Sequence, residues 1–221
     1  MYPFFFVLGE ILTLFFLSRI LTRTISRLIH SLTGNMKSIV YGVAILFLPG
    51  TLIHELAHYL MAKLLFVHAE EISLFPKHEG DTIKMGSVQI EHTDPVRRLL
   101  IGIAPLIVGS LLLGLLYYFS ALYIHSYYSW QILIPLIATF EITNTMFSSR
   151  KDMEGTLILF IILALIGFVC LIFQIYPPMW VFTSIKSLVE LPIFYTMSMY
   201  LLIPLGLDII LIAGLKFLVK N

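Results

Sequence analysis

The chain is short of almost everything a soluble catalytic domain displays on its surface. Of its 221 residues, 12% are charged and one is a cysteine. That lone thiol, Cys170, cannot close an internal disulfide; it lies in an apolar run and is assigned to packing. Basic and acidic residues nearly cancel, at 14 against 13, and no Lys/Arg cluster is interleaved with aromatics. An electrostatic footprint for nucleic acid is therefore excluded. The opening stretch, MYPFFFVLGEILTLFFLSR, has no basic leader region and no small-x-small cleavage site, so it is expected to be a retained membrane segment. There is no internal repeat, low-complexity tract or second domain. What remains is apolar: 59% of residues are hydrophobic and the mean hydropathy is +0.96, far above a soluble domain. The expected fold class is an all-α polytopic membrane protein, one membrane-embedded domain over residues 1–221, surrounded by lipid bilayer.

About six transmembrane helices are expected. Residues 1–38 read as a short first segment, Tyr2 to Leu17 with Glu10 inside it, followed by an amphipathic helix from Ser18 to Leu32. In that helix Arg19, Arg23 and Arg27 recur every fourth position and Gly34–Asn35 ends the run. Residues 39–176 read as the core. Its first segment, Ile39 to Val67, carries Pro49 and Gly50, where a membrane helix is expected to kink or restart. The only long polar stretch, His68 to Asp94, is expected to form a small β-hairpin from the runs Ile72–Phe75 and Ile83–Ile90. Further spans follow at Leu99–Tyr123, Ile132–Phe147 and Thr156–Tyr176, with a C-terminal span in 177–221. If the loop after the second segment is cytoplasmic, that side gathers Lys77, Lys84, Arg97, Arg98, Arg150, Lys151, Lys216 and Lys220. Arg19, Arg23, Arg27 and Lys37 then fall on the other side, unless Tyr2–Leu17 does not cross fully.

Inside the second segment stands His54-Glu55-Leu56-Ala57-His58. Residues four apart on an α-helix share a face one turn apart, so two imidazoles can meet one Zn²⁺. Glu55 lies about 100° round the helix from His54, beside the metal, where it can act as general base on a water held there. In hydrocarbon, ionisable side chains are costly and mark sites, which weighs against histidines kept only for structure. One zinc ion per chain is the expected cofactor. Two histidines leave a catalytic zinc one protein ligand short. Asp152, at the expected cytoplasmic end of the fourth span, matches the depth of His54 and His58. Glu141, deeper in that span, and Glu70 and Glu71, beyond the second segment, are weaker candidates.

With those residues in view, the chain resembles the site-2 protease family of intramembrane zinc metalloproteases. That family pairs H-E-x-x-H with N-x-x-P-x-x-x-L-D-G in a later helix. Here the second pattern runs from Asn144 to Met153, keeping the Asn-to-Asp separation but with Phe147 for proline, Lys151 for leucine and Met153 for glycine. Ala104-Pro105-Leu106 is similar to the family's G-P-x-x-N segment, with Val108 in place of asparagine. The resemblance covers Ile39 to about Ile175. It implies that His54, His58 and Asp152 hold zinc, that Glu55 moves the proton, and that Asn144 binds the substrate backbone. Substrates would be transmembrane or membrane-anchored proteins, and the active site would face the cytoplasmic side of a multi-pass protein of the cell membrane. Glu141 can orient a zinc histidine from behind or simply hydrogen-bond in the bundle. Two other readings stay open: a membrane zinc hydrolase of another substrate class with a glutamate as third ligand, and a non-catalytic scaffold or transporter that keeps the motif for structure.

Overall fold

A computed structural model describes residues 3–70, 72, 77–79, 82–84, 88, 90–91, 93–123, 130–147, 156–174, 178–190 and 193–220. The architecture is helical. Among the described residues, eight α-helices run in order as α1 (Pro3–Thr33), α2 (Met36–Leu46), α3 (Leu48–Leu64), α4 (Pro95–Tyr123), α5 (Leu133–Thr145), α6 (Thr156–Ile172), α7 (Met179–Val189) and α8 (Ile193–Lys220).

The expected first segment and amphipathic helix are one continuous rod. No glycine or proline interrupts residues 10–33. The hydroxyls of Thr22, Thr24 and Ser26 bond back to carbonyls four residues earlier, so they do not compete with the helix. The rod ends at Gly34, whose φ of +62° is the left-handed conformation that glycine adopts without penalty. Asn35 then starts α2 by accepting the Lys37 backbone N–H at 3.0 Å.

Among the described residues, three helical stretches are long and apolar enough to cross a membrane: Phe4–Thr33, Pro95–Ser120 and Met197–Leu218. A fourth span results if α2 and α3, bent by 71° at Phe47, count together. The expected count of about six is thus not supported. At 1.5 Å per residue, the 13 residues of α5 reach only about 20 Å, against a hydrocarbon core of about 30 Å. The pairing of the end helices also disagrees with six full crossings, which would set the first and last antiparallel. They are parallel: Phe4 meets Phe194 with ring centroids 5.1 Å apart, Ser198 donates to Glu10 at 2.8 Å, and Leu21 and Ile25 cluster with Ile212. Arg23, Arg27 and Lys37 therefore lie at the same end of the bundle as Lys216, not at the opposite one.

The hairpin expected from Ile72–Phe75 and Ile83–Ile90 is not supported either. Much of both runs lies outside the described residues. The pairing present is shorter and polar, β1 (Lys77–Glu79) against β2 (Thr82–Lys84), with Glu79 opposite Thr82. After it, Asp94 caps α4 by accepting the Val96 and Arg97 backbone N–H groups at 3.1 and 3.0 Å. The Arg97 amide, helped by its guanidinium, holds the Asp94 carboxyl below the usual carboxylate range.

Candidate metal centre

The site is built where three helices meet: the start of α3, the end of α5 and the first half of α4. The α2–α3 break falls at the predicted place. Pro49 in the first turn of α3 supplies no N–H, and a first turn has no intrahelical partners for the N–H groups it does have. One of these orphans, Gly50 N–H, donates to Glu141 Oε2 at 3.1 Å. A carboxyl oxygen at a helix N-terminus is favourably placed against the helix dipole. The approach is close enough to demand glycine: a Cβ at Gly50 would stand 2.5 Å from Thr145 Oγ1 and 2.6 Å from the Glu141 carbonyl oxygen.

One turn further, the two histidines of the motif do share a face. The His54 ring N–H at Nδ1 donates to the Thr145 carbonyl at 2.6 Å, and that of His58 to the Ile101 carbonyl at 2.8 Å. Both acceptors are available for a reason that lies in the sequence. Thr145 is the last residue of α5, and the final four carbonyls of a helix have no intrahelical donor. Ile101 is inside α4, where its carbonyl would normally take the N–H of residue 105; residue 105 is proline and has none. Pro105 thus leaves a buried carbonyl for His58, which is itself 4% exposed.

These two bonds fix the tautomers. With the proton on Nδ1, each Nε2 carries a lone pair. The two Nε2 atoms face each other at 3.1 Å, with the rings nearly perpendicular at 82°. Two lone pairs at that distance repel unless a proton or a metal ion lies between them. A tetrahedral zinc with Zn–N bonds of about 2.0–2.1 Å holds its ligand nitrogens about 3.3 Å apart. The donor set and its spacing therefore fit a metal, with carbonyls behind each imidazole as the usual supporting layer.

Glu55 is buried, 8% exposed, on the adjoining position of the same helix. Asp152, the expected third ligand, lies outside the described residues. Among the described residues, no set of three or more His, Cys, Asp or Glu side chains gathers as a metal site. Glu141 is placed against the Gly50 N–H, so its described contact is with the backbone that precedes His54 by one turn. Glu70 is exposed past the end of α3, and Glu71 lies outside the described residues. Asn144 is in the last turn of α5. One amide hydrogen goes to the Phe140 carbonyl and the other to Asp208 Oδ1 on α8, each at 3.0 Å. The Ile101 and Thr145 carbonyls and Asp208 were not read as site groups from the sequence. Pro105 was the available signal for the first, since a helix proline always frees the carbonyl four residues before it.

Fold and site together define a class: a multi-pass helical membrane bundle with a two-histidine centre where a broken helix meets two others. No family model, curated protein or solved structure matches this chain.

Proposed function

We propose that the chain is an intramembrane zinc metalloendopeptidase of the site-2 protease kind, hydrolysing peptide bonds in or near transmembrane segments of membrane-anchored proteins. The observation that carries this reading is the pair of Nε2 atoms, 3.1 Å apart, with each Nδ1 engaged on a backbone carbonyl. That arrangement belongs to a ligand pair more than to two structural histidines. His54 and His58 would hold the ion, with Asp152 as third ligand. A zinc ion held there would supply Lewis acidity, making a bound water more acidic at neutral pH.

The rest falls to the chain. Glu55 takes the proton of the attacking water and delivers it to the leaving amine. Thr145 and Ile101, through their carbonyls, hold the proton of each imidazole on Nδ1 and aim both rings. Water must reach a site enclosed by lipid, so the polar residues around His54 would line a cavity open to the aqueous phase. The substrate helix must unwind locally, because helical carbonyls are already hydrogen-bonded. We place the end bearing Arg23, Arg27, Lys37 and Lys216 on the cytoplasmic side, by the excess of Lys and Arg that cytoplasmic loops carry.

Glu55→Gln tests the assignment. Zinc content and fold should persist while cleavage of a transmembrane substrate falls at least 100-fold, the lower range for a lost general base. Equal turnover by wild type and Glu55→Gln would refute it.

A further inference from the structure

Asp208 takes no part in the mechanism above, yet among the described residues it is the carboxylate most completely withdrawn from solvent, 1% exposed at the centre of the Met197–Leu218 span. Its Oδ1 accepts from Asn144 Nδ2 at 3.0 Å. Two buried atoms are then left without partners, Asp208 Oδ2 and Asn144 Oδ1. They are the second atoms of the same two groups. As a carboxylate, Asp208 would hold a charge at mid-membrane on a single amide hydrogen bond, at high desolvation cost. Among the described residues it has no ion pair. Arg19 of α1 lies over the Phe15 ring instead, 4.3 Å from its centre, and Lys216 is two turns further along α8. A proton on Oδ2 turns that atom into a donor, and Asn144 Oδ1 is the acceptor it lacks. A second hydrogen bond, from Oδ2–H of the acid to Oδ1 of the amide, would leave neither group with an orphan.

What the pair holds matters for the site. Asn144 sits in the turn of α5 whose Thr145 carbonyl receives His54 and whose Glu141 receives Gly50. We propose that Asp208, carried as the neutral acid, is a positioning residue: by clamping Asn144 it fixes the last turn of α5 and, through the Thr145 carbonyl, the direction of the His54 ring. The inference deepens the zinc reading and rests on His54 being a ligand.

The test uses the purified full chain in detergent, with two readouts. One is the ¹⁵N spectrum of the histidines in metal-free protein, which reports the Nδ1–H tautomer of His54. The other is the zinc dissociation constant by chelator competition. Asp208→Asn keeps a neutral partner for Asn144 and should retain both, within about threefold in affinity. Asp208→Ala should lose the fixed His54 tautomer and weaken zinc about 10–100-fold, the range for lost supporting bonds. The double variant Asn144→Leu/Asp208→Leu exchanges the polar pair for an apolar one, which buried pairs often tolerate in stability. It should fold and show the same loss. Ser198→Ala cuts a different polar contact of α8, the one to Glu10 of α1, and should change neither readout. The positioning claim is overturned if Asp208→Ala or the double variant behaves as wild type, or if Ser198→Ala matches their loss. It is overturned for the neutral acid if Asp208→Asn is as impaired as Asp208→Ala. Wild type that takes no zinc while its His54 tautomer still follows Asp208 would sink the metal reading and leave the clamp standing.

Discussion

Each imidazole of the candidate centre is governed by one backbone carbonyl, and each carbonyl is free for a different reason. For His54 the donor-free end of α5 suffices. For His58 the cause is one residue, Pro105, and it can be removed. Pro105→Ala restores an N–H that competes for the Ile101 carbonyl. Helix α4 should gain stability, since an interior proline costs about 3 kcal/mol, while His58 loses its anchor. Thermal unfolding in detergent should therefore rise and zinc affinity fall about 10–100-fold. A variant with both quantities lowered, or affinity unchanged, would show that the proline acts through the helix and not through the carbonyl. Sequence spacing had placed His54 and His58 on one face, because four residues make about one turn. It could not supply the partners behind them, which are backbone atoms 91 and 43 residues away.

Among elements, the decisive contact is the docking of α3 on α5. It is made by a residue with no side chain. Gly50→Ala would push a methyl into Thr145 and the Glu141 carbonyl, at an overpacking cost of about 1–3 kcal/mol. Because the same displacement pulls Gly50 from Glu141 and His54 from Thr145, zinc affinity should fall with stability. Denaturant midpoints and chelator competition on the purified variant measure both. A loss of stability with zinc affinity intact would mean that α5 does not set the histidines. The break itself was legible, since Pro49 has no N–H with which to continue the preceding helix and is at home in a first turn. The continuity of α1 was hidden by composition. Apolar residues give way to arginines at position 19, which suggests two segments, yet nothing in the backbone chemistry between Glu10 and Thr33 stops the helix.

At the scale of the whole molecule, the parallel run of α1 and α8 gathers basic residues at one end. Hydropathy alone gives no pairing direction, and counting each apolar stretch as a full crossing put Lys37 and Lys216 on opposite sides. With Cys170 replaced, single cysteines at Lys37 and Lys216 should be labelled by an impermeant thiol reagent from the same side of sealed vesicles. Labelling from opposite sides would contradict the parallel packing seen at Phe4–Phe194 and Glu10–Ser198.

Everything proposed for this bundle passes through the two Nε2 atoms. The most direct measurement is zinc per chain in the purified protein, after incubation with added metal and desalting, for wild type, His54→Ala, His58→Ala, Asp152→Ala and Glu55→Gln. About one zinc in wild type and Glu55→Gln, lost in the two histidine variants and weakened in Asp152→Ala, is the predicted pattern for a three-ligand site. Wild type that retains no zinc, or histidine variants that retain it fully, would contradict the metal centre and leave the pair as a structural contact between α3, α4 and α5.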